Sequence, residues 1–422
     1  MEETSVGLSD LFAYVPRPRI SLEKLVEYRV QSVPKLERRL RRALETTGQQ
    51  AVRYPQIYED NVTLSAEAAA GILRARGSGE GLRYLTVGTE TPVDHSKPVA
   101  AYVEGVLQNA GMDVPETIST FQVQHACAGG TISMLSVAAL LAVAGRDSES
   151  GIVISSDIAR YDAPSTAEVT QGAGAVGMLV ERNPRLLSLD LGTAGYASRD
   201  VDDFFRPLGS VTAKVKGGYS VQCYNEAFET ALRDHAARRG VEPAQVLDEA
   251  DYIVLHVPFY KMPITALRRV LLHHKGLHEE QADAFLEQRG VIASLAPTRE
   301  IGNIYSGSAY LSLAYLLAQQ HRELGDGIVG KTVLLGSYGS GNTMSVFTGR
   351  ISAGAPGVIS RWNVDALLTD GEEESVEHYE RWLRAPLAPE EYREVLAGES
   401  IPAGRFYLEN IREDGYRVYT QA

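Results

Sequence analysis

Gln124-His125-Ala126-Cys127-Ala128-Gly129-Gly130-Thr131 is the stretch around which the rest of the chain is organised. It joins a strand-like run at 118–123 to a long apolar run at 131–144. A thiol between a strand end and a helix start lies near backbone N–H groups and a positive dipole end, and both favour the thiolate. The two glycines would let a substrate approach the backbone closely. A buried structural cysteine leading into a core helix fits the same stretch equally well, because free cysteine is among the most buried residue types.

Composition limits the class of protein. With 422 residues the chain is long enough for two or three domains or one large α/β unit, and 44% apolar residues supply a substantial core. The net charge of −13 argues against nucleic acid as the main partner. The densest basic run lies at 35–42. Leu36, Leu40 and Leu44 repeat there at every fourth position, which predicts an amphipathic helix with a solvated basic face.

Targeting, disulfide and metal signals are weak. No run of about 18 apolar residues occurs, so no membrane span is expected. The first residues have neither a basic nor an apolar signal region, and Cys127 and Cys223 lie too far apart to suggest a disulfide framework. These features predict a cytoplasmic protein. No Cys-x-x-Cys or His-rich spacing appears, so no metal site is expected.

An internal repeat is the most informative feature of the pattern. Strand candidates alternate with helices of 10–15 residues, which predicts α/β layers. In the first half a strand ends at Glu90, a strand-to-helix turn follows at Cys127, and a glycine turn lies at Gly172. The same order recurs at His256, Asn303 and Gly339, and the spans from first to last feature are 82 and 83 residues. Two similar halves related by a pseudo-twofold axis would bring Glu90, Cys127, His256 and Asn303 together.

Each of these four side chains also has a structural interpretation. Glu90 is either a solvated loop charge or a general base with a raised pKa. His256, at a strand end, fits a satisfied polar residue as well as a catalyst, and Asn303 could simply cap the following helix. Their corresponding places in the repeat favour a shared site. A cysteine nucleophile, a carboxylate base, a histidine acid and an amide donor suit acyl transfer coupled to carbon–carbon bond formation.

Motifs along almost the whole chain carry a family resemblance. The pieces are Thr86-Val-Gly-Thr-Glu90 with Asp94 and Lys97, Ala126-Cys127, Ser156-Asp157-Ile-Ala-Arg160-Tyr161, Thr170-Gln-Gly-Ala-Gly-Ala-Val176, Asp203-Phe-Phe-Arg-Pro207, Ser220-Val-Gln-Cys-Tyr224, His256-Val-Pro-Phe-Tyr-Lys261-Met262, Gly302-Asn303-Ile-Tyr-Ser-Gly-Ser308-Ala-Tyr-Leu-Ser-Leu313, Ser337-Tyr-Gly-Ser340-Gly341 and Phe406-Tyr-Leu-Glu-Asn-Ile411. In this order and combination they resemble the 3-hydroxy-3-methylglutaryl-CoA (HMG-CoA) synthases of the thiolase superfamily.

The resemblance implies a fold and a division of the chain. The expected fold is α/β and thiolase-like, with two similar halves in a five-layer αβαβα arrangement. The first half, 1–181, would carry Glu90 and Cys127, and the second, 182–352, would carry His256 and Asn303. The segment 353–422 would be a C-terminal extension packing on the second half. Relatives with this fold are usually homodimers, which gives the same expectation here.

The resemblance also implies the chemistry. Cys127 would be acetylated by acetyl-CoA, and Glu90 would remove a methyl proton so that the enolate adds to C3 of acetoacetyl-CoA. His256 would orient the second substrate and protonate its developing alkoxide, and hydrolysis would free HMG-CoA for the mevalonate pathway and isoprenoid biosynthesis. The CoA thioesters are substrates, and no cofactor is implied. Asp203 would support the site. Substrate contacts are implied at Thr170, Ser220, Lys261, Asn303 and Ser340, with Lys261 the preferred partner for a CoA phosphate.

Three departures from the family pattern bear on the identity of the acceptor. Ala128 stands where the family often has tyrosine, which would loosen the acyl pocket. The motif Ala-Cys-Ala-Gly-Gly around Cys127 is similar to that of type-III ketoacyl synthases, which decarboxylate a malonyl group. Lys216 stands where an acidic residue is common.

Three alternatives therefore stay open. The first is a polyketide β-branching enzyme that performs the same step on a β-keto group bound to an acyl carrier protein. The second is a decarboxylative ketoacyl synthase, against which Glu90 argues because decarboxylation needs no carboxylate base. The third is a non-catalytic thiolase-fold protein that only holds acyl-CoA or scaffolds another enzyme, and the four site residues together argue against it.

Overall fold

The computed structural model describes residues 5–422. Its strands are β1 (Val6–Tyr14), β2 (Pro18–Ser21), β3 (Ala51–Arg53), β4 (Leu82–Gly88), β5 (Ser119–Val123), β6 (Ser150–Ala159), β7 (Gly172–Arg182), β8 (Leu187–Leu189), β9 (Gly195–Ser198), β10 (Phe204–Phe205), β11 (Lys214–Val215), β12 (Tyr252–Leu255), β13 (Thr332–Gly339), β14 (Thr343–Ile351), β15 (Glu372–Glu373), β16 (Phe406–Ile411) and β17 (Arg417–Gln421).

The helices lie mainly between these strands. They are α1 (Leu22–Ser32), α2 (Glu37–Thr47), α3 (Asn61–Arg76), α4 (Val99–Asn109), α5 (Gly129–Ala144), α6 (Gly217–Arg239), α7 (Pro243–Glu249), α8 (Lys261–Lys275), α9 (Glu279–Gln288), α10 (Val291–Ser294), α11 (Ala296–Ile301), α12 (Ser306–Leu324), α13 (Ala355–Ile359), α14 (Ala366–Thr369), α15 (Val376–Leu383) and α16 (Pro389–Leu396), with 3₁₀ turns at Pro34–Leu36, Glu168–Thr170 and Gly325–Ile328.

The central sheet contains the same strand order twice. One half runs β5-β4-β6-β7-β1, and the other runs β12-β13-β14-β8, with β9 also paired to β14. In the first half β4 and β6 are parallel, and β6 and β7 form an antiparallel hairpin. In the second half β12 and β13 are parallel in the same way, and β13 and β14 form the antiparallel hairpin. The halves meet where β1 pairs with β8. The repeat inferred from sequence is therefore a repeat of topology.

Side-chain alternation along the strands builds five layers. Val153 of β6 joins the central core with helices α5 and α12, whereas its neighbours Ile152 and Ile154 join the outer core with α3 and α4. In the second half Leu335 of β13 faces the central core, and Leu334 faces the outer core with α6 and α8. Because successive residues of a strand point to opposite faces, each half-sheet is covered on both sides. The predicted five-layer αβαβα arrangement is confirmed.

The repeat places two of its three pairs correctly and one wrongly. Glu90 and His256 both follow corresponding strands, β4 and β12, while Cys127 and Asn303 both precede the central helices α5 and α12. Gly172, however, opens β7, whereas Gly339 closes β13, so they flank corresponding hairpin connections on opposite strands. The prediction that pairs them is wrong because the hairpin connection spans 160–171 in the first half and only 340–342 in the second.

The C-terminal extension packs mainly on the first half, contrary to the expectation that it packs on the second. Its strand β15 pairs with β2, and Tyr379 and Trp382 of α15 join the core beside α1. Phe406 and Tyr419 of the β16–β17 hairpin join the outer core of α3 and α4. The apolar residues of the hairpin thus cover helices that the first half alone would leave exposed.

Helix α5 bears on the expectation that no membrane span occurs. The stretch Ala126–Ala144 is long and apolar enough to cross a bilayer by length and composition alone. Its glycines and hydroxyl residues interrupt the apolar run in the sequence, which is why no span was expected. Met134, Val137 and Leu141 are fully buried in the central core, so the packing is that of a core helix.

The basic run forms the predicted amphipathic helix. Leu40 and Ala43 of α2 are buried, whereas Arg38, Arg39 and Arg42 are exposed. The basic face is thus solvated, as predicted.

Candidate active site

A cavity of about 370 Å³ lies where the loops of the two halves meet. It brings together six of the nine residues predicted from sequence, which are Cys127, Thr170, Ser220, His256, Asn303 and Ser340. Glu90, Asp203 and Lys261 do not line it.

Cys127 lies in the turn between β5 and α5 and is only 6% exposed. The residue before it, Ala126, has a φ of +39°, a left-handed conformation that is uncommon for a non-glycine residue and is found at functional sites. A Cβ on Gly130 would lie 1.9 Å from Ser155 Oγ, and a Cβ on Gly129 would lie 2.7 Å from the Val123 carbonyl oxygen. The expectation that these glycines admit substrate is therefore wrong, because protein atoms already fill that space.

The resting state of the Cys127 sulfur is the thiol. Burial raises the pKa of Cys127 well above its usual value, and the carboxylates of Glu90, Asp157 and Asp203 raise it further. The expectation that the helix dipole favours the thiolate is therefore wrong, since desolvation dominates over the dipole. Cys127 needs a proton acceptor during acylation.

His256 is a buried, neutral imidazole. It follows β12, is 1% exposed and lines the cavity with Cys127. Burial lowers the pKa of His256 to about 3, and the backbone of Tyr305 opposes this shift only in part. Neither ring nitrogen has a hydrogen-bond partner among residues 5–422. A buried polar group without a partner is costly, so this ring is available to a ligand in the cavity.

Glu90 is held behind the cavity by an arginine. Glu90 is 7% exposed, and its Oε1 accepts a hydrogen bond of 2.8 Å from Arg206 Nη2. The same Arg206 nitrogen lies 3.3 Å from the hydroxyl of Tyr305, which lines the cavity. Glu90 also raises the pKa values of Cys127 and Tyr305 through its charge. The carboxylate therefore lies behind the Tyr305 wall of the cavity and does not line the cavity itself.

Asp157 fixes the loop that carries Glu90. Its Oδ1 accepts hydrogen bonds from the Glu90 amide at 2.9 Å, the Thr89 hydroxyl at 2.8 Å, and the Thr91 amide and hydroxyl at 3.1 and 2.7 Å. Its Oδ2 is buried without a partner among residues 5–422. Burial, with the nearby Glu90 charge, raises the pKa of Asp157 to about 8. Asp157 is thus mainly a neutral acid at pH 7, acting as an acceptor through Oδ1.

Replacing Asp157 tests this arrangement. Because asparagine is isosteric with the protonated acid, Asp157→Asn should keep activity within about threefold, whereas Asp157→Ala should lose at least about 100-fold by releasing the Glu90 loop. An acid whose pKa rises on folding from 3.8 to about 8 stabilises the fold below pH 4, and this contribution is lost as the pH rises toward 8. Melting temperatures from pH 4 to 8 should therefore fall in the wild type relative to Asp157→Asn. Parallel melting curves, or an inactive asparagine variant, would show that Asp157 acts as an anion.

Asn303 and Thr170 form one wall of the cavity. Asn303 Oδ1 accepts a 2.8 Å hydrogen bond from the Tyr305 amide, and the Asn303 amide donates to the Thr170 carbonyl at 3.2 Å. Tyr305 itself has a φ of +51° where α12 begins. The interpretation of Asn303 as the cap of the following helix is therefore wrong, because Tyr305 is the N-cap of α12 and has no side-chain cap; the Asn303 oxygen instead fixes the turn before the helix, and the residue faces the cavity.

Asp203 ties the opposite wall together. Its Oδ2 accepts a 2.8 Å hydrogen bond from the Tyr338 hydroxyl and a 3.3 Å hydrogen bond from the Ser220 hydroxyl, and its Oδ1 accepts the Gly341 amide at 3.0 Å. Asp203 is completely buried. It thereby links α6, β13 and the turn that follows Ser340.

Lys261 lies outside the cavity, at its rim. Its Nζ donates a 2.7 Å hydrogen bond to the carbonyl of Glu45 in α2, and the side chain is exposed. Its sequence neighbour Met262 and Thr47 of α2 both line the cavity. Lys261 can therefore meet the outer end of a bound molecule and not its reacting end.

Sequence reasoning missed the aromatic and cationic groups around Cys127. Tyr161, Phe204 and Tyr305 contact one another edge-on and share a buried cluster with Cys127. Arg206 and Asp157 occurred in the family motifs without a stated role. The one sequence feature that points to Arg206 is its position three residues after Asp203. Spacing alone does not reveal which carboxylate an arginine contacts.

The two departures near the site have structural explanations. Ala128 is buried and packs against Gly339, where a Cβ would come within 2.8 Å of the Ala128 Cβ. Its side chain is not among those lining the cavity, which gives no support to a loosened acyl pocket. Lys216 is exposed and pairs with Asp202, so its charge is neutralised locally.

The described residues 5–422 contain no group of three or more histidine, cysteine or acidic side chains that could hold a metal ion.

Comparisons with known proteins agree with this geometry. Family profiles described as Hydroxymethylglutaryl-coenzyme A synthase N terminal and C terminal match residues 6–184, and residues 188–289 and 274–422. A hydroxymethylglutaryl-CoA synthase of Enterococcus faecalis is 31% identical over 378 residues, 89% of this chain and 91% of that protein. A solved structure of MvaS in complex with 3-hydroxy-3-methylglutaryl coenzyme A is 32% identical with a TM-score of 0.86, covering 99% of both chains. An HMG-CoA synthase complexed with CoA is 26% identical with a TM-score of 0.83, covering 99% of this chain and 100% of the other.

The duplicated half-sheets, the paired central helices and the buried cysteine define an acyl-transferring condensing enzyme with a thiolase-like fold. More narrowly, the chain belongs to the hydroxymethylglutaryl-coenzyme A synthase family. The predictions of fold, family and acyltransferase class from sequence are thereby confirmed.

Proposed function

We propose that this enzyme condenses acetyl-CoA, through acetyl-Cys127, with acetoacetyl-CoA to give HMG-CoA, free CoA and a proton. The observation that carries the proposal is that Cys127 and His256 line one cavity while Arg206 links the Glu90 carboxylate to Tyr305 in the wall of the same cavity. An acetyl group has no carboxylate to lose, so forming its enolate requires a base. Family membership and the CoA-bound relatives support the same substrates.

Acylation begins from an uncharged pair. The Cys127 thiol and the neutral His256 imidazole line one cavity, so the ring can accept the thiol proton as sulfur attacks the acetyl thioester. The bond between the acetyl carbon and the CoA sulfur then breaks, and the proton passes from His256 to the departing sulfur, so that CoA leaves as a thiol and the ring is neutral again. The amides of Ala128, Gly129 and Gly130 already donate to protein acceptors at 2.9, 3.4 and 2.9 Å. We therefore assign the Cys127 amide as the backbone donor to the thioester oxyanion.

Condensation moves one proton from carbon to oxygen. Glu90 removes a proton from the methyl group of acetyl-Cys127, and the enolate carbon bonds to C3 of acetoacetyl-CoA. The proton that Glu90 takes from carbon ends on the C3 oxygen, so the step balances and Glu90 is a carboxylate again. His256, neutral at working pH, orients and polarises this oxygen through its N–H.

The remaining residues position the acceptor. Thr170 and Asn303 on one wall and Ser220 and Ser340 on the other offer hydrogen bonds along the cavity, with Asp203 holding the second wall. Lys261 at the rim is placed for an anionic CoA phosphate. The order of these residues, from the reacting thiol of Cys127 to the cation of Lys261 at the rim, matches the order of groups along a CoA thioester, from the acyl group to the phosphates.

An acyl-carrier-protein acceptor is the second candidate. The observation that favours it is the exposed basic face of α2, with Arg38, Arg39 and Arg42, on the helix whose end contacts Lys261. Such a surface suits an acidic carrier protein as well as CoA phosphates.

The deciding experiment compares acceptors. Purified protein with acetyl-CoA, acetoacetyl-CoA and no added metal or cofactor should release CoA and form HMG-CoA in stoichiometric amounts. The matched arm supplies the acetoacetyl group on a carrier protein. Turnover only with the carrier would establish the β-branching function, and condensation only with a malonyl donor would establish a type-III ketoacyl synthase. An absence of covalent acetyl-enzyme would establish a non-catalytic protein.

We also propose that the enzyme is a cytoplasmic homodimer. The free thiols of Cys127 and Cys223 suit a reducing compartment. Strand β5 is an unpaired edge of the central sheet, and Val143 on the outer side of the adjacent α5 is 90% exposed. Pairing of this edge with a second copy would cover both features. The particle mass in solution, measured by light scattering, checks the dimer. We keep the division into halves 1–181 and 182–352 and an extension 353–422 as part of this proposal.

A further inference from the structure

A second cavity, of about 420 Å³, lies beside the first and shares no lining residue with it in the part of the chain described. The loop after β4 forms one side, including Thr91 and Val93, and the loop after β10 forms another, including Arg206 and Val211. Leu208 at its mouth is 89% exposed, so the cavity communicates with solvent.

The Glu90–Arg206 pair separates the two cavities. Arg206 lines the second cavity and donates to Glu90 Oε1 at 2.8 Å, and it lies 3.3 Å from the Tyr305 hydroxyl, which belongs to the first. Thr91, next to Glu90, also lines the second cavity. Glu90 therefore stands between the cavity that contains Cys127 and one that opens elsewhere.

The proposed reaction requires water when the first cavity is full. After condensation the product is joined to Cys127 through one thioester and to CoA through another. The CoA arm then occupies the first cavity, between the rim at Lys261 and the reacting sulfur. Water needed for the last step has to arrive from another side.

We propose that the second cavity supplies the water that hydrolyses the Cys127 thioester. This inference rests on the proposed function. The water oxygen bonds to the thioester carbonyl carbon, the carbon–sulfur bond breaks, one water proton passes to Glu90, and the departing sulfur is reprotonated. The products are a free carboxylic acid on the CoA-bound acyl group and the Cys127 thiol, so the step balances.

Polar groups near the Glu90–Arg206 pair, between the two cavities, fit this role. Arg206 Nε is buried and has no acceptor among residues 5–422, and the same holds for Asp157 Oδ2 behind the Glu90 loop. Buried waters in proteins typically bond groups of this kind. His95, Gln124 and Asn61 add polar side chains along the cavity wall. The route is therefore polar where it meets the site.

Plugging the second cavity tests the inference. Val93→Phe and Val211→Trp fill it from two different loops and leave Glu90, Arg206 and Cys127 in place. Rapid quench with both substrates should show the first release of CoA at the wild-type rate. Steady-state turnover should then fall by at least about tenfold, with the Cys127-bound HMG-CoA adduct accumulating in intact-protein mass spectra.

Two control variants test whether the effect is specific to the second cavity. Val329→Trp, at an exposed position lining neither cavity, should behave as the wild type. Ser220→Phe, in the first cavity, should instead block acetylation and leave no adduct. Folded plug variants that turn over normally, that lose the first CoA release, or that change only acyl-chain preference would overturn the inference. A wild-type enzyme that forms no acetyl-Cys127 would overturn the proposed function instead.

Discussion

Glu90→Ala should acetylate Cys127 at close to the wild-type rate and fail to condense it with the acceptor. Acetyl transfer uses the Cys127 sulfur and the His256 imidazole, and neither depends on the Glu90 carboxylate for its proton. Enolate formation does, and loss of a positioned general base costs about 10²- to 10⁴-fold. Single-turnover labelling with acetyl-CoA measures the first step, and HMG-CoA formation measures the second.

Glu90→Gln is the matched control for the ion pair with Arg206. Glutamine keeps the length of the side chain and an oxygen for Arg206 Nη2 but cannot accept the methyl proton. Its condensation rate should be as low as that of Glu90→Ala, while its melting temperature stays nearer the wild type. Condensation that survives either substitution would mean that Glu90 serves structure and that another group is the base.

Cys127→Ala should abolish acetyl-enzyme formation and reduce HMG-CoA synthesis by at least about 10⁴-fold, because no other group can carry the acetyl chain. The protein should remain folded, since alanine fits the small buried site. Radiolabelled acetyl-CoA followed by denaturation and gel filtration detects the covalent label. Label that persists on Cys127→Ala would place the acyl group elsewhere.

Cys223→Ala provides a control of the same chemical type. Cys223 is also a buried free thiol, but it lies in α6 and lines neither of the two cavities. This variant should keep both label and turnover. The comparison separates a nucleophile from a generally reactive cysteine, which the sequence alone left open.

The sequence predicted the fold class, and six of the residues it singled out line one cavity, because its signals were local. The strand-turn-helix pattern around Cys127 and its counterpart at Asn303 predicted the two central helices. The ends of two strand candidates predicted the places of Glu90 and His256. The lengths of hairpin connections are not fixed by a repeat, so the match of Gly172 with Gly339 was wrong.

Long-range packing and electrostatics could not be predicted in this way. The partner of Glu90 lies 116 residues away in sequence. The helix dipole at Cys127 is a local property, whereas the opposing effect of burial depends on the whole surrounding fold. The location of the C-terminal extension depends on which helices of the folded halves expose apolar surface. The hydrophobic periodicity of the sequence does not show which helices those are.

The close packing at the nucleophile turn has a consequence for protein engineering. Gly88, Gly130 and Gly339 each face protein atoms at distances that exclude any side chain. Libraries that diversify the residues around Cys127 would therefore consist mostly of misfolded members. Positions on the wall loops, such as Thr166 and Val215, tolerate new shapes because they meet the cavity and not the core. Altered acyl specificity is best sought there, with the turn itself left unchanged.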